Sequence, residues 1–98
     1  MSFEKAIEAS LAAALGDDHH LMDELRSAFL DSARRHVTTM AEAGCDEDWQ
    51  DAALRLKGLA ASFGAAALMQ EAGRAAKGKR ADAEALLSLE AGLNLLSR

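Results

Sequence analysis

Ala52-Ala53-Leu54-Arg55-Leu56-Lys57-Gly58-Leu59-Ala60-Ala61-Ser62-Phe63-Gly64 is the stretch from which both the fold and the function of this chain are read. At about 100° per residue on an α-helix, Trp49, Ala52, Ala53, Leu56, Leu59, Ala60 and Phe63 share one arc, an apolar stripe of the kind that faces a core. Leu54, Lys57, Gly58 and Ala61 fall on the opposite arc. The outer side of a helix is ordinarily charged and long-chained, and this one is bare. Gly58 inside a helix costs about 1 kcal/mol relative to Ala. It faces away from the core, so packing within the protein does not account for it. A strip of Leu, Gly and Ala beside one Lys is predicted to be a place where another molecule comes close.

Working outward, Phe3, Ile7, Leu11 and Leu15 recur at four-residue spacing and predict a short first helix ended by Gly16. Asp17 and Asp18 suit the start of a second helix, where carboxylates meet free N–H groups and the positive end of the dipole. That helix should run to about Ala43, with Met22, Leu25, Phe29, Ala33, His36 and Met40 inward and Asp23, Ser27, Asp31 and Arg34 outward. Gly44 is its expected C′ terminator. The helix that carries the quoted stretch starts at Asp46 or Glu47 and bends or stops near Gly64. A fourth, from Ala65 to about Lys77, turns Leu68, Met69, Ala72 and Ala76 inward and is closed by Gly78. The last begins near Ala81 or Asp82, with Leu86, Leu89, Leu93 and Leu96 inward and Leu87 and Ala85 flanking them. Gly73 and Gly92 lie inside predicted helices, which weakens the pattern locally. Short connections between amphipathic helices imply antiparallel neighbours. The expected fold is therefore all-α: an up-down antiparallel four-helix bundle with a short N-terminal capping helix, one domain over residues 1–98.

Leu56-Lys57-Gly58, followed by Phe63-Gly64-Ala65, resembles the His-x-x-Lys-Gly signature helix of histidine-containing phosphotransfer (HPt) domains of bacterial and plant phosphorelays. Phe29-Leu30-Asp31, within Leu25 to Leu30 and beyond, resembles the family's Phe-Leu helix. Asp48-Trp49 resembles the start of its motif helix, and the likeness spans roughly residues 18 to 97. The family's His stands three residues before the Lys, and that position here is Leu54. In the family, an imidazole nitrogen at this place attacks the aspartyl-phosphate of a receiver domain and passes the phosphoryl group on. A leucine has no lone pair, so transfer through position 54 is ruled out rather than slowed.

What the resemblance implies is a pseudo-phosphotransfer module that docks a response-regulator receiver domain, or a histidine kinase, without reacting. Lys57, which in an active member stands beside the phosphoryl oxygens, would pair with the acidic pocket of a receiver. Gly58 would let the partner's backbone approach, Ala61 would extend the flat surface by one turn, and Arg55 lies toward its edge. Other readings stay open on these residues. Leu54 is then a packing residue under the first helix and Lys57 a solvated side chain. Alternatively, this is a genuine phosphotransfer protein whose His is replaced in this chain, or whose transfer uses another His. In a different class altogether, it is a self-associating structural bundle, with the apolar strip as a homodimer seam.

The totals bound these options. With 98 residues there is room for one modest core, much of it alanine. A net charge of −5 argues against a duplex nucleic-acid binder. No apolar run approaches the roughly 20 residues of a membrane span, and Glu4 and Glu8 interrupt any secretory signal. One cysteine, Cys45, cannot form an internal disulfide and is read as a loop residue of a cytoplasmic protein. His36 reads as a core histidine. His19 and His20 are sequence neighbours and cannot form the i, i+4 pair that helical metal sites use, so neither a metal nor another cofactor is expected. No serine has a His–carboxylate partner at a recognisable spacing, and Asp17-Asp18 and Glu47-Asp48 suit helix starts better than acid–base pairs. A conventional enzyme is not expected.

Overall fold

Helices α1 (His19–Ala41), α2 (Asp46–Ser62), α3 (Ala66–Ala75) and α4 (Ala83–Leu96) are joined by short connections. The computed structural model of the protein describes residues 19–97, His19 by its backbone alone. The expected first helix, its Gly16 stop, its capping role and the Asp17-Asp18 start lie outside the described residues. Those residues form a bundle of four helices without a strand. Helix α2 packs on α1 and α3, and α4 closes the ring by packing on α1 and α3 in turn. The backbones of the diagonal partners, α1 with α3 and α2 with α4, do not come close.

The boundaries follow from local chemistry. Cys45 is extended, at φ −150° and ψ 165°, and its Sγ accepts from the Asp48 N–H at 3.5 Å. It is thus the N-cap of α2 rather than a plain loop residue. Asp46, Glu47 and Asp48 follow in the first turn, where the helix dipole favours negative charge. At the other end Gly64 takes φ 72°. The Ala65 N–H donates to the Ala60 carbonyl at 2.9 Å and the Gly64 N–H to the Ala61 carbonyl at 3.2 Å. This pair of bonds is the Schellman motif, and Ala65 and Ala60, which its longer bond joins, are both buried. The expected stop at Gly64 is therefore observed. Asp82 caps α4, its carboxylate accepting from the Ala85 N–H at 3.1 Å.

Two expected terminators are not used that way. Helix α1 ends at Ala41, and Gly44 does not take up the left-handed conformation. The turn is finished instead by the Ala43 N–H donating to the Met40 carbonyl at 3.1 Å. Helix α3 ends at Ala75, short of Gly78, and the left-handed residue in the following connection is Ala81, at φ 64°.

The first turn of α2 explains how that connection is held. The buried Trp49 indole donates to the Ala75 carbonyl at 2.8 Å, and Gln50 Nε2 donates to the Gly78 carbonyl at 3.0 Å. Asp46 Oδ1 accepts from the Arg80 N–H at 2.9 Å. The last carbonyls of a helix have no partner within it, and side chains of α2 supply partners here.

The core contains Phe29, Met40, Trp49, Leu56, Leu68, Leu89, Leu93 and Leu96, with Ala33, Ala53, Ala60, Ala65 and Ala72 between them at complete burial. Each large side chain contributes roughly 1.5–3 kcal/mol by leaving water, while the alanines let the helices approach closely. The Phe29 and Phe63 rings meet at 4.7 Å in a tilted arrangement.

Three inward assignments shift. On α1 the stripe is centred one position over: Leu30 and Val37 are buried, and His36 is left at the half-buried edge. On α3, Ala75 is buried, whereas Met69 and Ala76 pack only partly. On α4, Leu87 is 66% exposed and does not flank the core. It stands about 200° around the helix from the buried Leu89.

Candidate functional site

The inner arc of α2 is as the spacing predicts, with Trp49, Ala52, Ala53, Leu56 and Ala60 buried and Leu59 and Phe63 partly so. That arc fixes the rotation of the helix and thereby presents the other one. Leu54 is 52% exposed, and Lys57, Gly58 and Ala61 are exposed as well. A Cβ built on Gly58 would meet nothing within 4 Å. The glycine is therefore not demanded by any neighbour in the described part of the fold. Its carbonyl accepts from the Ser62 hydroxyl at 3.0 Å, a bond within one turn that leaves the outer surface flat.

Two grooves border this lane. On the α1 side a groove of about 400 Å³ is lined by His36, Thr39, Glu42, Asp48, Asp51 and Arg55, among others. Arg55, expected at the edge of the lane, belongs to this side. Burial, then the positive charges of Arg55 and Arg35, hold the His36 imidazole below its ordinary pKa of 6.5. On the α3 side a groove of about 360 Å³ is lined by Lys57, Met69, Gln70, Gly73, Arg74 and Lys77.

Lys57 turns toward this second groove. A Cβ built on Gly73 would lie 3.6–3.8 Å from Lys57 Cδ, Cε and Nζ, so the lysine stem runs across α3 where that helix has no side chain. Gly73, Arg74 and Lys77 were not legible as neighbours of Lys57 from the sequence. The one signal available was a glycine inside a helical pattern.

The remaining chemistry is sparse. His20 pairs with Glu24 at 3.1 Å on the exposed face of α1. Ser62 and Ser97 hydroxyls donate to backbone carbonyls, and Ser32 accepts from Arg35. Among the described residues no three His, Cys, Asp or Glu side chains gather in a way that could hold a metal ion, and no helix is long and apolar enough to cross a membrane. What the site offers is a surface: a half-exposed leucine, a flat strip one turn long and a cation at one side. The chain matches no family model, no curated protein and no solved structure, so a functional reading rests on these residues and their geometry.

Proposed function

We propose that this protein is an HPt-like docking module of a two-component phosphorelay. It binds a response-regulator receiver domain, or a histidine kinase, through Leu54, Lys57, Gly58 and Ala61, with Arg55 at the margin. It is not itself phosphorylated, and it regulates phosphate flow by occupying its partner. The observation that carries this reading is Gly58: a helix-weakening residue, outward, with nothing within 4 Å that requires it, beside a leucine 52% exposed. An up-down antiparallel topology belongs to the same reading. The ring order of the helices supports it, as does the meeting of the first turn of α2 with the end of α3 through Trp49 and Ala75.

The direct test is binding of the purified protein to each receiver domain of its own organism, read by pull-down and calorimetry. At least one receiver should bind, and Leu54→Asp should abolish that binding. Failure of every receiver and kinase would remove the reading. Leu54→His separates docking from chemistry. With a phosphorylated receiver it should gain an acid-labile label that the unchanged protein never acquires, whereas labelling of the unchanged protein would show that another His transfers. Self-association through the same strip predicts a concentration-dependent dimer in sedimentation that Leu54→Asp dissolves.

A further inference from the structure

We propose that the docking face does not end on α2 but continues onto α3, where Lys57, Arg74 and Lys77 form a cationic groove for a carboxylate-rich surface of the partner protein. This rests on the docking reading above and names the second half of the site. Lys57 lies across α3 over Gly73, with its Cδ, Cε and Nζ 3.6–3.8 Å from where a Cβ would stand. Gly73 is thus a positioning residue: the Lys57 stem settles over it in space that any side chain longer than Ala would fill.

Charge is the second argument. The three cations line one groove with Met69, Gln70 and Gly73 and no acid. None of them forms an ion pair within 4 Å among the described residues. Arg74 also borders the groove on its other flank that holds Glu71, Asp82 and Glu84, yet it reaches none of them at that distance. The groove on the opposite side of the lane differs, because there Arg55 faces Glu42, Asp48 and Asp51. In a chain of net charge −5, three cations lining one groove that has no acid among its walls leave a local field that an acidic surface would complement. Leu54 and the flat Gly58–Ala61 strip adjoin this groove, so a single partner can cover the apolar lane and the charges together.

The experiment uses the full chain and the receiver that binds it most tightly, with Kd measured by calorimetry at low and moderate salt. Arg74→Glu with Lys77→Glu should weaken binding by about tenfold or more at low salt and flatten its salt dependence. Arg34→Glu with Arg35→Glu, which makes the same charge change on the exposed side of α1, should leave Kd unaltered. Gly73→Leu should weaken binding as much as Lys57→Ala does, and the two together should be no worse than either, the signature of one shared interaction. Thermal melts identify any variant that fails to fold, and the exposed charge reversals stand if Gly73→Leu is lost that way. Unchanged Kd and salt slope in the Arg74/Lys77 variant, while Leu54→Asp abolishes binding, would confine the face to α2 and overturn the inference. Absence of any partner would overturn it together with the docking reading.

Discussion

Leucine and alanine occur on both the buried face of α2 and the lane opposite it, with opposite outcomes. Inward, Ala52, Ala53, Leu56 and Ala60 disappear into the core around Trp49; outward, Leu54 and Ala61 stand in solvent around Gly58. Composition does not distinguish them, and angular position does. Helix α4 sharpens the point, for its Leu87 and Leu95 are 66% and 52% exposed. Single exposed leucines are ordinary on protein surfaces. What sets the α2 lane apart is an unexplained glycine one turn from its leucine and a lysine held to one side.

If the two faces are separable, substitutions on one should move stability and on the other docking. The largest effect belongs to the inner face. Trp49→Ala removes the biggest core side chain and leaves the Ala75 carbonyl without its indole donor, and should cost about 3–5 kcal/mol. The urea midpoint checks this, and a midpoint within error of the parent would refute the account of the core. Next, Leu54→Asp should leave that midpoint nearly unchanged while abolishing detectable receiver binding, a loss of at least the roughly 10- to 100-fold that burying one leucine contributes. Leu87→Asp, at a leucine 66% exposed, should change neither stability nor binding. Equal losses from both leucines would mean that the lane has no special standing.

Gly58→Ala moves both readouts in opposite directions. With open space where the methyl would go, it should stabilise the fold by up to about 1 kcal/mol and still weaken docking. A more stable variant that binds equally well would show that close approach at position 58 is not needed. The smallest effect comes from His36. Its folded pKa lies below the ordinary 6.5, so the unfolded chain takes up the proton first. Stability should therefore be undiminished above that value and decline as pH falls from it toward the lowered one, because in that window the unfolded state binds more protons. Melting temperatures of His36→Gln should fall less over the same window; parallel curves would assign the decline to other groups.

Much of this was legible beforehand because it depends on period alone. The inner arc of α2, the outward lane and the stop at Gly64 follow from 3.6 residues per turn and from the one residue suited to a left-handed cap. Errors arose where the stripe was read from its edge. His36 and Ala76 sit about 60–80° off the centre of their helix faces, while Val37 and Ala75 beside them are nearer the centre and buried. Cys45 does not look like a cap in the sequence, because a thiol is an uncommon cap acceptor. Gly44 and Gly78 have the sequence mark of left-handed terminators, yet α1 closes through the 42–43 turn and α3 through the 76–78 turn, where the Gly78 N–H donates to the Ala75 carbonyl. The bonds from Trp49, Gln50 and Asp46 to the α3–α4 connection, and the passage of Lys57 over Gly73, join residues far apart in the chain. No local pattern encodes such pairs.

One further consequence follows from Trp49. The chain has a single tryptophan and no tyrosine, and that indole is sealed from water with its N–H tied to a helix end. Its ultraviolet emission is therefore a one-residue optical gauge of the bundle, blue while α2 and α3 remain joined and red once they part. Because the ring lies on the buried side of α2 and Leu54 on the exposed side, a guest settling on Leu54 should leave the colour untouched. The same fluorimeter trace then tells occupation from collapse without any added dye.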